Sequence, residues 1–401
     1  MKRIKTYEVR KRMASESDDV KIYEKFDEID GMDPDILRGI FGNGFDTPSK
    51  IQQRAIKPIM DGRDVLAQAQ SGTGKTCAFV TGSLHRVDRA LPNTQVLILA
   101  PTRELANQIE MVVKALGTYT GITVLGCTGG NPVRDDISAL QRGAQLVIGT
   151  PGRIFDLMDR NALRREHIKQ MVMDEADQML EGRFRDQMEC ILNMGFPDTT
   201  RVALFSATMP DAVREVANRI LKDPVRILLP PEQVTLEGIR QWYVEVEQDA
   251  FKFECLCDLY QHFTINQAII YCNQRQKVEW LAKRLQQENF DVGFIHGDMD
   301  QKERKATIIS FRSGHIRVLV SSDLLARGID VQQVSLVINF EMPPIAQKEN
   351  YIHRIGRSGR FGRKGVALNL VTASERRDLQ EIEKHYATII NPLPTNLADI
   401  F

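Results

Sequence analysis

The sequence predicts an α/β protein built as two tandem parallel-sheet domains joined by a flexible linker. Three observations carry that expectation. Short β-branched apolar runs alternate with helical stretches in both halves of the chain, the pattern of parallel strands with helices on both faces. The alternation lapses once, at Lys222-Asp223-Pro224 and Leu229-Pro230-Pro231-Glu232, where prolines and polar residues mark a connection. A chain of 401 residues also exceeds what one ordinary core organises. The expected boundaries are a mobile N-terminal arm over 1–25, a first domain over 26–229, a linker over 230–240 and a second domain over 241–401.

Composition narrows the class. With 53 Lys and Arg against 53 Asp and Glu, bulk charge carries no nucleic-acid signature, so any such site must be a local groove. No apolar run approaches the length of a membrane span. Six cysteines show no C-x-x-C pair and no metal-ligand spacing, which suits free thiols in a reducing compartment. The segment from Met1 to Met13 is rich in Lys and Arg but lacks an apolar centre, so it is expected to be a basic arm and not a secretory signal.

In the first half the expected strands are Val65–Ala67, Val96–Ala100, Thr123–Cys127, Leu146–Gly149, Met171–Met173 and Val202–Ser206. Ligands of such sheets collect at the carboxyl ends of the strands. Just ahead of the first strand lies Gly44–Gln52. The Gln52 amide can pair with both N6 and N7 of an adenine, and Phe45 can stack on the base. A plain turn capping a helix at Ser49 is the competing reading. After Val65–Ala67 comes Ala69-Gln70-Ser71-Gly72-Thr73-Gly74-Lys75-Thr76. Strand, Gly-rich turn and helix in that order let backbone N–H groups converge on phosphate oxygens at a helix N-terminus. Lys75 would reach the β- and γ-phosphates, and the Thr76 hydroxyl would join a Mg²⁺ shell. At the end of Met171–Met173 stand Asp174-Glu175-Ala176-Asp177. There Asp174 would hold the metal, partly through water, and Glu175 would orient or deprotonate an attacking water.

The second half restarts the alternation at Gln241–Val246, Ala268–Cys272, Val292–His296, Arg317–Ser321, Leu336–Phe340 and Val366–Leu370, without a phosphate loop. Two similar domains, only one able to hold nucleotide alone, suggest a cleft that closes on ligand. Arg357 and Arg360 follow His353 in a Gly-rich segment, and both guanidinium groups could serve as arginine fingers on a γ-phosphate. A solvated Arg-rich turn, or contact with nucleic acid alone, remains open from spacing.

Taken together, the ordered motifs resemble those of the DEAD-box RNA helicases of superfamily 2, from about Phe26 to the C-terminus. Asp174–Asp177 spells the family name, and Ala69 is what that family carries at the start of its loop. Pro101-Thr102-Arg103-Glu104-Leu105-Ala106, Thr128-Gly129-Gly130 and Thr150-Pro151-Gly152-Arg153 look like its RNA-backbone motifs. Ser206-Ala207-Thr208 looks like the motif that couples hydrolysis to strand separation. Gln301-Lys302-Glu303-Arg304, Ala326-Arg327-Gly328-Ile329-Asp330 and His353–Arg360 complete the set. Phrases such as Ala67–Thr76, Leu236–Gln241 and His296–Arg304 look most like the translation initiation factor 4A subfamily. The chain departs from that subfamily at Ser321-Ser322, where threonines are usual, and at Gln274-Arg275-Gln276.

The resemblance implies two RecA-like domains, ATP with Mg²⁺ as cofactors, and RNA as partner. Implied RNA contacts are Pro101, Thr102, Arg103, Gly129, Gly130, Thr150, Pro151, Gly152, Arg153, Arg304 and Ser322. Asp177, Ser206, Thr208 and His353 are implied in coupling, and Asp330 in holding the ribose. Short Gly, Ser, Thr and Arg segments offer groups to phosphates and no array for reading base edges, so binding is expected to be indifferent to sequence. Opening two or three base-pair steps requires roughly 3–4 kcal/mol at about 1.4 kcal/mol per step, within reach of a two-state closure. The expected activity is therefore an RNA helicase acting on short duplexes in translation initiation. The enzyme is expected to be monomeric, with a protein scaffold binding both domains, and cytoplasmic with the nucleus left open. An ATP-gated RNA clamp in splicing-linked or ribosome-assembly complexes, and a P-loop ATPase acting on DNA, are the alternatives.

Overall fold

The protein is described from a computed structural model covering residues 20–69, 72–180, 184–228, 239–262, 267–323, 334–358, 365–386 and 388–394. It divides into two compact units, Met1–Pro230 and Pro231–Phe401.

In the first unit seven parallel strands form one sheet: β1 (Val65–Gln68), β2 (Val96–Leu99), β3 (Val124–Cys127), β4 (Leu146–Gly149), β5 (Gln170–Met173), β6 (Arg201–Ser206) and β7 (Val225–Ile227). Their order across the sheet is β3-β4-β2-β5-β6-β1-β7. Because strand side chains alternate, successive residues enter two different apolar layers. Val65 and Ala67 of β1, with Ile98 of β2 and Phe205 of β6, pack in one layer. Leu66, Leu97 and Leu204 pack in the other. Burial on both faces is what covered parallel sheets require, and it explains why these strands read as continuous apolar runs.

The second unit repeats the plan with β8 (Ile239–Glu245), β9 (Ala268–Tyr271), β10 (Val292–Ile295), β11 (Val318–Ser321), β12 (Leu336–Asn339), β13 (Gly365–Val371) and β14 (Asn391–Pro392). The sheet order is β10-β11-β9-β12-β13-β8-β14, again all parallel. Counted from its own first strand, each unit has the same order.

Three details differ from the sequence expectation. β7 and β14 are short edge strands beside β1 and β8, and neither has an alternating pattern long enough to signal itself. Docking of β7 depends on Asp64, whose carboxylate accepts from Val202 N at 2.8 Å and from Lys222 N at 2.6 Å. Ile239 and Arg240, placed in the linker by composition, instead open β8 and pair with Gly365 and Val366. Within the stretch expected as an arm, Tyr23 is buried and Lys21 pairs with Asp30 at 2.7 Å. No helix among the described residues is long and apolar enough to cross a membrane.

Candidate functional site

The chemistry-bearing residues of the first unit stand at the carboxyl ends of six adjacent strands, and the strand order sorts them into two groups. The first group lies on β1, β5 and β6. Ala69 leaves β1 buried and bonded to Ser206 O at 3.0 Å, which fixes the start of the Gly-rich loop against β6. Gly72 and Gly74 have φ of +84° and +92°, a left-handed backbone that side chains rarely adopt. Gly74 caps the helix Lys75–His85, and a Cβ there would come within 2.5 Å of Gln52 Nε2.

That approach shows what Gln52 does. Its Nε2 donates to Gly74 O at 3.2 Å, and its Oε1 accepts from Ser49 N at 2.7 Å, closing a capping box on the helix Lys50–Met60. The residue expected to read a base thus also ties the loop to that helix. Phe45 is half-buried against the same apolar layer as β1.

Lys75, on the first turn of its helix, is buried, and its Nζ has no hydrogen-bond partner among the described residues. Thr76 follows it, half-buried. Asp174 leaves β5 buried as well. Burial pushes its carboxyl up to about 6, with Lys75 pulling it down and Glu175 and Asp177 raising it further. Glu175 has φ +51°, an uncommon backbone for a non-glycine residue and the kind of strain that collects at functional sites. Its Oε2 accepts from Gln178 Nε2 at 2.5 Å. Asp177 turns towards β6, accepting from the Thr208 hydroxyl at 2.7 Å while its N–H donates to Ser206 Oγ at 3.4 Å. Three of the four residues implied in coupling, Asp177, Ser206 and Thr208, therefore form one buried network.

The second group lies on β2, β4 and β3. After β2, Pro101 and Thr102 are buried, and Thr102 caps the helix Arg103–Leu116, its hydroxyl accepting from Leu105 N at 3.2 Å. After β3, Gly129 lies against the Arg103 guanidinium, which a Cβ there would approach to 2.7 Å. Gly130 has φ +97°. After β4, Thr150 occupies the N-cap position of the helix Pro151–Asp159 without a side-chain cap bond, and Gly152 of that helix faces Gln187. Arg153 is buried and paired with Asp136.

The second unit places Ser321 at the end of β11, its hydroxyl donating to Ser322 O at 2.9 Å. Arg304 donates to Gly297 O at 2.9 Å. His353 and Arg357 are buried on and just after the helix Glu349–Ile355, with Arg357 Nε donating to His353 O at 3.3 Å.

Residues 49–216 match the family DEAD/DEAH box helicase, and residues 251–362 match Helicase conserved C-terminal domain. The chain is 54% identical over 376 residues to an ATP-dependent RNA helicase eIF4A of Meyerozyma guilliermondii, covering 94% of each chain. It is 51% identical over 380 residues to Eukaryotic initiation factor 4A of Caenorhabditis elegans, covering 95% of this chain and 94% of the relative. The chain belongs to the DEAD-box helicase family. Among solved structures it resembles S. cerevisiae Dbp5 bound to RNA and ADP BeF3, at a TM-score of 0.88 and 38% identity, covering 94% of this chain and 97% of the other.

In this DEAD-box helicase Ser71, Asp330 and Arg360, with the rest of Ala326–Asp330, lie outside the described residues. Sequence reasoning passed over Arg354. Its fully buried guanidinium pairs with Asp323 and donates to Asn273 Oδ1 at 2.7 Å, Glu341 O at 2.6 Å and Asn339 Oδ1 at 3.2 Å. One arginine thus fastens residues on or just past the ends of β9, β11 and β12. Its signal was visible only as a further arginine within His353–Arg360.

Proposed function

We propose that this chain is an RNA-stimulated ATP hydrolase that grips single-stranded RNA by its backbone and opens short duplexes in translation initiation. The observation that supports it most is the Lys75 ammonium, buried with no partner among the described residues beside a cluster of buried carboxylates. A buried ammonium without hydrogen-bond acceptors is costly, and the β- and γ-phosphates of ATP would supply those acceptors. Gly72, Thr73, Gly74 and, by resemblance, Ser71 then present backbone N–H groups to the phosphates.

The carboxylates fit a hard cation. Among the described residues no group of three or more acidic, His or Cys side chains makes a metal cage. Mg²⁺ commonly takes one or two carboxylates, waters and substrate phosphates instead, and Asp174 with the Thr76 hydroxyl suits that role. When bound, Mg²⁺ neutralises charge on the phosphates. Glu175 orients the attacking water and accepts its proton. Gln178, bonded to the Glu175 carboxylate, sets its direction. Asp177, Ser206 and Thr208 carry the state of this site along β6. Arg357 and Arg360 are assigned to charge on the transferred phosphate, and Asp330 to the ribose.

The motifs at the ends of β2, β3 and β4 hold the RNA, joined by Arg304 and Ser322, with His353 in coupling. They offer backbone and hydroxyl groups, which position a strand without reading it. A first domain that takes in Tyr23, a second that opens at Ile239, a monomeric enzyme, a protein scaffold and a cytoplasmic location complete the reading. Dbp5 has been seen with Gle1 and IP6, which supports a protein partner for this relative as well.

The test is ATP turnover with single-stranded RNA of several sequences and with matched DNA. Strong stimulation by every RNA and little by DNA is expected. Equal stimulation by DNA would overturn the RNA assignment.

A further inference from the structure

Arg153 closes Thr150-Pro151-Gly152-Arg153, one of the segments whose resemblance implies contact with RNA. Its side chain points inward. Only 7% of it is exposed, as for its partner Asp136. Nη1 donates to the Asp136 carboxylate, and Nη2 donates to Asn131 O at 2.7 Å. Asp136 sits in the first turn of the helix Val133–Arg142, and Asn131 ends the loop Thr128–Asn131 that feeds that helix. One cation on the β4 side thus grips both the end of the loop and the helix beyond it.

Thr128 is buried at the start of the loop and the Arg103 guanidinium lies over Gly129, but the rest has little to set its shape. Gly129 has no side chain, Gly130 lies at φ +97°, and Asn131 and Pro132 are exposed. Pro132 occupies the N-cap position and caps no N–H with its side chain. Two glycines leave the backbone open to phosphates, but they also give the free chain many conformations to lose on binding. A buried brace removes that cost in advance, which is how preorganisation raises affinity. Arginine suits the task because its planar fork serves a carboxylate and a carbonyl together, whereas lysine offers a point charge.

We propose that Arg153 and Asp136 are positioning residues for RNA: a buried pair that holds the Thr128–Asn131 backbone in its phosphate-binding shape, with Arg153 itself not touching the strand. This rests on the RNA reading given above. The pair makes a prediction whose sign separates it from simpler accounts. Asp136 is a negative charge close to the expected phosphate path, so by electrostatics alone its removal tightens RNA binding. If Arg153 were an RNA ligand restrained by Asp136, freeing it would also tighten binding. The brace requires weakening.

The experiment measures ATP turnover by the full chain against the concentration of a single-stranded oligouridine, for wild type, Asp136→Asn, Arg153→Lys and Asp135→Asn. Asp135 is the exposed neighbour that pairs with Arg134 at 3.6 Å, and it serves as the charge control. Asp136→Asn is expected to raise the KM for RNA about tenfold, the size of one hydrogen bond to a charged group. Turnover at saturating RNA and the KM for ATP should stay within about twofold, and Asp135→Asn should leave the KM for RNA unchanged or lower. An unchanged or lowered KM for RNA in Asp136→Asn overturns the brace, as do parallel changes in turnover and KM for ATP, which a general loss of structure would cause. If Asp136→Asn does not fold, Arg153→Lys decides, since it keeps the charge and loses the second donor; an unmoved KM for RNA then sinks the proposal. A wild-type chain that RNA does not stimulate removes the RNA reading and the brace together, whereas a stimulated wild type with an unmoved Asp136→Asn removes the brace alone.

Discussion

The two units lay their strands in one order, and in each a lysine opens the helix after the first strand. Lys75 opens Lys75–His85 after β1, and Lys252 opens Lys252–His262 beyond β8. Both are buried, but their surroundings are opposite. Lys252 Nζ bonds Glu375 Oε2 at 2.7 Å and lies 3.4 Å from Asp249. Glu375 stands just past β13, the strand paired with β8, and also accepts from Thr372 N at 2.9 Å. The matching strand of the first unit is β6, which ends at Ser206 and runs on into Ala207-Thr208, with no carboxylate. The loops differ in the same sense. Gly72 and Gly74 adopt left-handed backbone after β1, whereas Val246–Phe251 contains no glycine. Strand topology is therefore not what makes a phosphate site. Lys252 has its acceptor built in at Glu375, whereas Lys75, near the Asp174 carboxylate, has no hydrogen-bond acceptor among the described residues, which suits it to a ligand.

That comparison can be broken most directly by removing each lysine. Lys75→Met should lower RNA-stimulated hydrolysis by roughly 10²–10³, the usual loss for one donor to developing charge. In unfolding without nucleotide, the same variant should stay within about 1 kcal/mol of wild type, because it removes an ammonium with no hydrogen-bond acceptor among the described residues but also a cation that favours the buried Asp174 carboxylate. Lys252→Met should do the reverse. Hydrolysis per folded molecule should remain within about twofold, while the second unit loses about 3 kcal/mol by leaving Glu375 without its partner. Urea denaturation beside steady-state turnover reads both. If Lys75→Met and Lys252→Met destabilise alike, the distinction between the lysines is wrong.

A smaller effect sharpens the electrostatics of the first unit. The Asp174 carboxyl rises from 3.8 to about 6 mainly by burial, with Lys75 lowering it and Glu175 and Asp177 raising it. A proton held more tightly when folded stabilises the fold fully below about pH 3.8, and that contribution disappears as pH rises through about 6. Ligand-free protein should therefore lose stability across this window, and Asp174→Asn should flatten the slope. An unchanged slope in the variant would place the titration elsewhere.

The smallest expected effect concerns Gln52. Because its amide already bonds Ser49 N and Gly74 O, Gln52→Ala should loosen the loop as well as the choice of base. A rise of about tenfold in the KM for ATP is expected, equivalent to about 1.4 kcal/mol, with reduced preference for ATP over GTP. Loss of preference with an unchanged KM would show that the amide reads the base and leaves the loop alone.

Sequence alone determined the α/β class, the two-unit plan, nearly every central strand and the place of the Gly-rich turn between β1 and its helix. These are written in local periodicity and in residues that must be neighbours along the chain, such as Gly74 and Lys75. Edge strands were not legible, because β7 and β14 are held by partners far away in sequence, among them Asp64. Nor were the directions of side chains. Arg153 and Arg103 both belong to segments that read as RNA motifs, yet Arg153 turns inward to Asp136 while Arg103 lies over Gly129. Arg354 looked like one more arginine in a run and proves to fasten the ends of three strands. The fate of each lysine was likewise settled by a residue more than a hundred positions away or by its absence, as Glu375 is for Lys252. A charge becomes a site or a strut according to what folding brings within about 3 Å of it, and that distance exists only in the tertiary structure.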